Sequence, residues 1–195
     1  MYNLQQGEYK MEIIVGITGA TGTIYAVKLL EALKKFEHVN VHLIMSKWAQ
    51  QTLITETKYD LDYINSLADA VYDNLNMGAK ISSGSFLSDA MLIVPCSMKT
   101  LSSIANGYCD NLITRAADVT IKEGRKLIMS PRETPLSAIH LQNMLKLSQL
   151  GVKIVPPMPA FYNKPETVED IVNHQVMKLL DQLNLSLPEG KRWNG

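Results

Sequence analysis

The sequence is poor in cysteine, in net charge and in long apolar runs, and each shortage excludes a class of protein. Cys96 and Cys109 are the two cysteines among 195 residues, too few for a disulfide framework and not spaced as metal ligands. The 19 basic and 19 acidic residues give no net charge, so nothing electrostatic favours nucleic acid or a membrane surface. No run approaches the roughly 20 apolar residues of a membrane span, and residues 1–10 lack the apolar stretch of a signal peptide. We therefore expect a cytoplasmic protein with two buried thiols.

What the sequence does contain is an alternation of short apolar strands with amphipathic helices. Apolar residues make up 46% of the chain and charged residues 19%, which is typical of a globular protein. Residues 13–17 are apolar and, apart from Gly16, β-branched, as in a strand buried on both faces. The predicted strands cover residues 13–17, 39–45, 91–94, 126–129 and 152–155. The predicted helices cover residues 23–36, 47–56, 61–70, 98–106, 112–122, 138–150 and 168–183. This alternation predicts an α/β fold with a doubly wound parallel sheet.

The chain shows no repeat and no internal linker. We expect an N-terminal extension at residues 1–11 and a single domain at residues 12–195. Residues 74–88, which contain Ser82-Ser83-Gly84-Ser85, are the one loose stretch, and they indicate a functional loop or an interface element. The low charge and the zero net charge favour a homo-oligomer.

Polar and rigid residues follow the predicted strands, where an open parallel sheet binds its ligands. These strand ends are Thr18 to Gly22, Ser46-Lys47, Pro95 to Thr100, Pro131-Arg132-Glu133 and Pro156 to Tyr162. Because the carboxyl ends of parallel strands lie at one edge, we expect these residues to converge on one rim of the sheet. Pro156-Pro157-Met158-Pro159 would bring Phe161 and Tyr162 to that rim as a stiff aromatic wall, unless the segment serves packing alone.

The glycine-rich turn from Gly16 to Gly22 is spaced GxxGxxG, which is neither the GxGxxG of dinucleotide folds nor a Walker A loop. Such a turn places backbone N–H groups and a helix N-terminus against an anion. Ser46-Lys47 follows the second strand, where an NAD site needs an acidic residue for the ribose. A mononucleotide such as FMN is therefore favoured, and a plain tight turn is the alternative.

Several polar side chains have both a functional and a structural interpretation. The hydroxyls of 97–100 either complete the cradle or cap a helix, and Arg132 either grips a phosphate with two N–H bonds or pairs with Glu133 at the surface. Arg115, Asp118 and Lys122 share one helix face, where a solvated ion-pair ladder is the ordinary interpretation.

Two further groups remain open. Glu56 ends a helix, where a negative charge is unfavourable, so its position mildly indicates a role. His140 is more often a structural histidine than a base.

Seven motifs occur together and in order, and they identify a family resemblance. The motifs are Gly-Ala-Thr-Gly at 19–22, Ser-Gly-Ser at 83–85, Pro-Cys-Ser at 95–97, Arg-Ala-Ala-Asp at 115–118, Pro-Arg-Glu-Thr-Pro at 131–135, His-Leu-Gln-Asn-Met at 140–144 and Pro-Ala-Phe-Tyr at 159–162. With them the sequence closely resembles the UbiX/Pad family of flavin prenyltransferases over residues 11–195. The resemblance implies a flavodoxin-like fold assembled as a dodecamer with FMN between subunits. It also implies transfer of a dimethylallyl group from dimethylallyl monophosphate to N5 and C6 of reduced FMN. The product, prenylated FMN, would serve UbiD-type decarboxylases of aromatic acids.

The same resemblance implies a role for individual residues. FMN contacts are implied for Gly19, Ala20, Thr21, Ser46, Ser97, Met98, Lys99, Thr100 and Arg132. Catalytic roles are implied for Glu56 and Glu133 in proton handling, and for Arg115 and Lys122 of a neighbouring chain beside the prenyl phosphate. Substrate contacts are implied for Tyr162 and Lys178 at that phosphate and for Trp193 as a wall of the site. No metal is expected, since the sequence has no Asp-rich prenyl-diphosphate motif.

Two positions depart from the commonest family pattern, and two other functions compete with the first. Thr21 stands where many members have Ser, and threonine keeps the hydroxyl. Lys178 stands where others have Arg, and lysine keeps the charge but lacks the forked guanidinium that binds two oxygens. The first rival function is an FMN-dependent phenolic acid decarboxylase. The second is a non-catalytic flavin-binding subunit of a decarboxylase, which would need few of the charged residues named above.

Overall fold

Six parallel strands form one sheet at the centre of the computed structural model, which describes residues 10–187. The strands are β1 (Met11–Ile17), β2 (Val39–Met45), β3 (Ala70–Asp73), β4 (Ala90–Cys96), β5 (Lys126–Pro131) and β6 (Lys153–Ile154). Their order across the sheet is β3-β2-β1-β4-β5-β6, and each neighbouring pair is parallel. The helices are α1 (Thr23–Leu33), α2 (Lys47–Glu56), α3 (Leu61–Ser66), α4 (Met98–Ala105), α5 (Leu112–Lys122), α6 (Ala138–Gln149) and α7 (Val168–Gln182). The predicted α/β, flavodoxin-like fold is confirmed.

Separate apolar cores cover the two faces of the sheet. Ile13, Val15 and Ile17 belong to the core that α1 and α7 complete, whereas Ile14 belongs to the core that α4, α5 and α6 complete. A strand buried on both faces has no polar positions to alternate with, which explains the continuous apolar run of β1. Each such side chain, fully buried, contributes roughly 1.5–3 kcal/mol to folding.

The strand order reverses between β1 and β4. From β1 the chain winds outward through β2 to β3, returns to the other side of β1 as β4, and winds outward again through β5 to β6. At such a switch point the two crossover connections leave in opposite directions and open a crevice at the carboxyl ends of the strands. The fold therefore places any ligand between the turn after β1 and the turn after β4.

One predicted element is wrong. The predicted helix at 61–70 ends at Ser66, and the chain then forms β3, an edge strand that pairs with β2. Asp69 secures this turn, because its carboxylate accepts the Val41 N–H at 2.7 Å and its own N–H donates to the Val41 carbonyl at 3.0 Å. Four residues with alternating burial carry too weak a periodic signal to be read as a strand.

Smaller differences concern the ends of the chain and of the elements. Met11 is already the first residue of β1, so the strand begins inside the predicted extension, whose residues 1–9 lie outside the described part of the chain. Gly151, with a φ of 87°, follows α6 in the left-handed conformation and ends that helix as predicted.

Candidate functional site

Thr18 joins the two turns that flank the crevice. Its N–H and its hydroxyl donate to the Pro95 carbonyl at 3.2 and 3.0 Å, and its Oγ1 accepts the Ser97 N–H at 2.7 Å. The side chain is 2% exposed, so these bonds form away from water and fix the end of β1 against the end of β4. On the other flanks, the Ser46 N–H donates to the Ile17 carbonyl at 3.0 Å and the Arg132 N–H to the Cys96 carbonyl at 3.1 Å. Four strand ends therefore meet at one rim, as the sequence predicted.

The glycine turn has a specific structural need for two of its glycines. A Cβ on Gly19 would collide with the Trp48 Cβ, so the turn lies directly on α2 and only glycine fits there. Gly22 has a φ of 99°, a left-handed conformation that L side chains rarely adopt, and α1 begins at the next residue. Ala20 and Thr21 lie between these two fixed points, at the surface of the crevice.

Glu56 occupies the N-terminus of α1, which corrects part of the phosphate-loop interpretation. Its Oε2 accepts the Gly22 N–H at 2.8 Å and the Thr23 N–H at 3.4 Å. The anion at this helix end is thus the protein's own carboxylate, which the helix dipole favours. Although Glu56 ends α2, its side chain neutralises the start of α1, and it also lines a cavity of about 500 Å³ between α1, α2 and α7.

Two other helix N-termini point to the rim with hydroxyl caps. Ser46 caps α2 by accepting the Ala49 N–H at 3.1 Å, and Ser97 caps α4 by accepting the Thr100 N–H at 3.3 Å. The Ser97 hydroxyl also donates to Thr100 Oγ1 at 3.1 Å. The capping interpretation is therefore correct, and the first turn of α4, with Met98 and Lys99, lies at the crevice. Helix N-termini with short hydroxyl side chains are suited to hold a phosphate.

Arg132 and Glu133 follow β5 at the same rim. Burial raises the pKa of the Tyr25 hydroxyl, and the positive charge of Arg132 acts in the opposite direction, which places the guanidinium near the first turn of α1. Glu133 is exposed, and its carboxylate accepts the Thr134 N–H at 3.0 Å. The alternative interpretation, a surface pair of Arg132 with Glu133, is absent from the ion pairs of the described residues.

Tyr162 and Lys178 are brought into one cluster by a residue that the sequence did not single out. The Tyr162 hydroxyl lies 3.1 Å from Nε2 of His174, which is 7% exposed on α7. Burial lowers the pKa of the His174 imidazole, and the charge of Lys178, one helical turn further, lowers it again. On the other side of the ring, Asn163 Nδ2 lies 3.4 Å from Nδ1.

Arg115 and Lys122 lie on α5, and they pair with acidic residues on or directly after the same helix, while Arg115 also contacts the loop before β4. Arg115 Nε donates to the Ser82 carbonyl at 3.2 Å, and its Nη1 pairs with Asp118 at 2.9 Å. The predicted ion-pair ladder is confirmed for Arg115 with Asp118. Lys122 does not extend it, because its ion pair is with Glu123. Lys122 ends α5 four residues before β5 begins, so it lies at the amino edge of the sheet, opposite the rim.

The remaining predictions concern a tail residue, metals and membranes. Trp193 lies outside the described residues. Within residues 10–187, no group of three or more His, Cys, Asp or Glu side chains is arranged to hold a metal ion. In the same part of the chain, every helix is too short or too polar to span a bilayer.

Sequence reasoning placed Thr18 at the rim without assigning it a role, and it overlooked Asn163 and His174. A usable signal existed for His174, since it lies four residues before Lys178 and therefore on the same face of α7. His140, which the sequence predicts to be structural, completes a capping box at the start of α6 by accepting the Ser137 N–H at 3.3 Å.

Comparisons with known proteins agree with this geometry. The flavoprotein family model matches residues 1–180. The chain is 58% identical over 183 residues to the flavin prenyltransferase LpdB of Lactiplantibacillus plantarum, covering 94% of this chain and 98% of that protein. A dodecameric FMN-dependent UbiX-like decarboxylase from Escherichia coli O157:H7 superposes with a TM-score of 0.94 at 56% identity, over 95% of this chain and all of that one. AnUbiX (PadA1), solved in complex with FMN and dimethylallyl pyrophosphate, gives a TM-score of 0.93 at 48% identity, over 95% of this chain and 98% of that one.

Proposed function

This chain belongs to the flavoprotein family and, within it, to the UbiX-like flavin prenyltransferases, and we propose that it prenylates reduced FMN. The donor is dimethylallyl monophosphate. Its C–O bond breaks and the phosphate leaves as one prenyl carbon bonds to N5, and the prenyl double bond takes up a proton as its substituted carbon bonds to C6. N5 and C6 each lose a proton, so the net release is one proton. The observation that carries the proposal is the crevice at the β1/β4 switch point, because a relative of 48% identity that matches 95% of this chain was solved with FMN and a dimethylallyl donor.

The rim of the sheet fits a flavin mononucleotide. A phosphate needs several N–H donors, and the rim offers the starts of α2 and α4 together with Arg132. A dinucleotide would need an acidic residue after β2, and Ser46 stands there instead. Within the proposal, the residues that hold FMN are Gly19, Ala20, Thr21, Ser46, Ser97, Met98, Lys99, Thr100 and Arg132. Reduced FMN supplies the nucleophilic nitrogen and carbon.

Cationic and phenolic side chains would hold the prenyl phosphate. Tyr162 and Lys178 form one cluster, and lysine stabilises the dianion that develops as the C–O bond breaks. Arg115 and Lys122 complete the set from a neighbouring chain. For Lys122 the reason is that α5 carries it to the opposite edge of its own sheet. Aromatic faces, including that of Trp193 in our proposal, stabilise the allylic cation.

Glu56 and Glu133 would accept the protons that leave the flavin. Glu56 is fixed by two backbone N–H groups at the start of α1, and it faces the cavity between α1, α2 and α7. Glu133 follows directly on Arg132, so it lies at the rim and remains open to solvent. A fixed and an exposed carboxylate suit proton acceptance and proton release to water.

The proposal extends to assembly and to the cell. The chain forms a dodecamer, as the relative from Escherichia coli O157:H7 does. It works in the cytoplasm, where its two free cysteines remain reduced. A UbiD-type decarboxylase receives the prenylated FMN.

One anaerobic experiment tests the function against its rivals. Purified protein is mixed with reduced FMN and either dimethylallyl monophosphate or the pyrophosphate, and the flavin is analysed by mass spectrometry. A gain of one five-carbon unit with the monophosphate supports the proposal. An unchanged flavin with both donors would refute it. The name of the relative from Escherichia coli O157:H7 favours decarboxylation as the second candidate, and release of carbon dioxide from a phenolic acid by this chain alone would establish that activity.

A further inference from the structure

His174 is the buried partner of Tyr162, which we propose as a ligand of the prenyl phosphate. The imidazole is 7% exposed, and its Nε2 lies 3.1 Å from the phenolic oxygen. The two rings meet edge to face, with centroids 5.5 Å apart. A contact of this geometry fixes the position of the hydroxyl beside the ring nitrogen.

The direction of that hydrogen depends on which ring nitrogen of His174 carries the proton. If Nε2 accepts, the phenol donates to the imidazole and cannot give the same hydrogen to a phosphate. If Nε2–H donates, the phenolic oxygen accepts from the ring and its own O–H is not used by the imidazole. A tyrosine that binds an anion needs the second arrangement, because a phosphate oxygen accepts hydrogen bonds and does not donate them.

Asn163 selects the second arrangement. Its amide nitrogen lies 3.4 Å from Nδ1, and an N–H that faces Nδ1 requires that nitrogen to be the acceptor. The proton of the neutral ring must then be on Nε2, toward Tyr162. The amide oxygen of Asn163 is buried without a hydrogen-bond partner among the described residues.

We propose that Asn163 and His174 are positioning residues that turn Tyr162 into a hydrogen-bond donor for the prenyl phosphate. The chain of donors runs from the Asn163 amide to Nδ1, from Nε2–H to the phenolic oxygen, and from the phenolic O–H to the phosphate. This inference rests on the proposed function for the identity of the anion, whereas the tautomer of His174 is a property of the protein alone.

The electrostatic surroundings keep the imidazole neutral, as this arrangement requires. Burial lowers the pKa of His174, Lys178 on the same helix lowers it further, and Asp181 opposes them. An imidazolium would place a second cation beside Lys178, and its Nδ1–H would face the Asn163 N–H.

The first test observes the tautomer directly. The full-length protein, labelled with ¹⁵N-histidine, is studied by magic-angle-spinning NMR at neutral pH, which distinguishes a protonated from an unprotonated ring nitrogen. His174→Gln removes one signal of the four histidines and so assigns it, and Asn163→Asp, which shifts the His174 signal, assigns it independently. We expect a neutral ring protonated at Nε2. A proton on Nδ1, or a charged ring, would overturn the inference whatever the enzyme does.

The second test uses variants that change the donor order. In Asn163→Asp the carboxylate accepts from Nδ1–H, so Nε2 becomes the acceptor and takes the Tyr162 hydrogen. We expect the KM for dimethylallyl monophosphate to rise about tenfold with kcat within about twofold of wild type, since one hydrogen bond to the phosphate is lost. Asn173→Asp adds the same charge at an exposed position of α7 and serves as the control, with an unchanged KM expected.

The third test asks whether His174 acts through Tyr162. His174→Leu is expected to raise the KM in the native background but to add little once Tyr162→Phe has removed the hydroxyl, whereas His174→Gln, whose amide can donate, keeps a KM near wild type. Additive effects in the double variant would contradict a positioning role. A wild-type protein that does not prenylate FMN would refute the proposed function, and the NMR result would still decide the tautomer.

Discussion

At the scale of single residues, the site depends on side chains whose partners are distant in sequence. Glu56 is the clearest case. Its position at the end of α2 is electrostatically unfavourable when that helix is considered alone, but its carboxylate reaches the start of α1, 34 residues earlier in the chain. The unfavourable charge of one helix thus becomes the favourable charge of another. A sequence shows the first relation and not the second.

The double attachment of Glu56 allows its structural and chemical roles to be separated. In Glu56→Gln the amide oxygen still accepts the Gly22 N–H, so we expect the free energy of unfolding to change by less than about 1 kcal/mol. The amide cannot take up a proton at neutral pH, so we expect the prenylation rate to fall by about 10²–10⁴-fold. Thermal unfolding and single-turnover mass spectrometry measure the two effects. A variant that is destabilised and loses no more activity than its loss of folded protein explains would mean that Glu56 is only a cap.

A second residue-scale prediction concerns Glu12, on β1, which His42 and Asn40 contact at 2.5 and 2.9 Å. Burial raises the pKa of this carboxyl, but the hydrogen bonds outweigh it and hold the pKa below its ordinary value of 4.5. The stabilisation is therefore present above pH 4.5 and is lost as the pH falls through the lowered folded-state pKa. We expect Glu12→Gln to cost about 1–3 kcal/mol at pH 7 and less at acid pH.

Urea unfolding at several pH values measures this difference. Glu37→Gln, at an exposed position of the turn before β2, is the matched control and should leave the curve unchanged. A Glu12→Gln deficit that is the same at pH 7 and at acid pH would contradict the assigned ionisation.

At the scale of elements, the sequence predicted what local patterns determine. Helices α2 to α7 have side-chain N-caps in their own sequence, as Ser97 illustrates, Gly151 ends α6, and β1 has a continuous apolar run. The sequence did not predict β3, whose four residues become a strand because β2 offers an unpaired edge. The Tyr162–His174 contact was also out of reach, because it depends on how the loop after β6 folds back onto α7. Non-local pairing decided both cases.

The loop before β4 provides an element-scale prediction. Arg125 donates to the Gly84 and Phe86 carbonyls, both at 2.6 Å, and fixes this loop against the end of α5. A Cβ on Gly84 would collide with the Glu123 carboxylate and lie 3.0 Å from Lys122 Nζ. Both are ends of flexible side chains, so we expect Gly84→Ala to leave stability within about 0.5 kcal/mol while displacing Lys122.

If Lys122 binds the prenyl phosphate, this displacement raises the KM for dimethylallyl monophosphate severalfold. Gly78→Ala is the control in the same loop, since its added Cβ would make only an ordinary contact at 3.5 Å with Asn76. Steady-state kinetics on both variants, with melting curves beside them, tests the idea. Equal KM values for the two variants would show that the loop does not position Lys122.

At the scale of the whole molecule, one chain cannot bring all the proposed residues together. β5 separates Lys122, which precedes the strand, from Arg132, which follows it, and a strand of six residues spans about 20 Å. A site that contains both must take them from different copies of the chain. The exposed apolar side chains Trp48, Leu87 and Ile139 are available to be covered in such an assembly.

Subunit complementation tests this sharing of the site. Lys122→Met and Arg132→Gln are each expected to be inactive when assembled alone. Co-assembled in equal amounts, they form some sites whose flavin rim comes from the Lys122→Met chain and whose Lys122 comes from the Arg132→Gln chain. Random mixing gives about one intact site in four, so we expect roughly a quarter of wild-type activity. A chain that carries both substitutions, co-assembled with wild type, is the control for dilution. Mixed assemblies as inactive as their parents would place Lys122 and Arg132 in the same chain's site, which the geometry of β5 opposes.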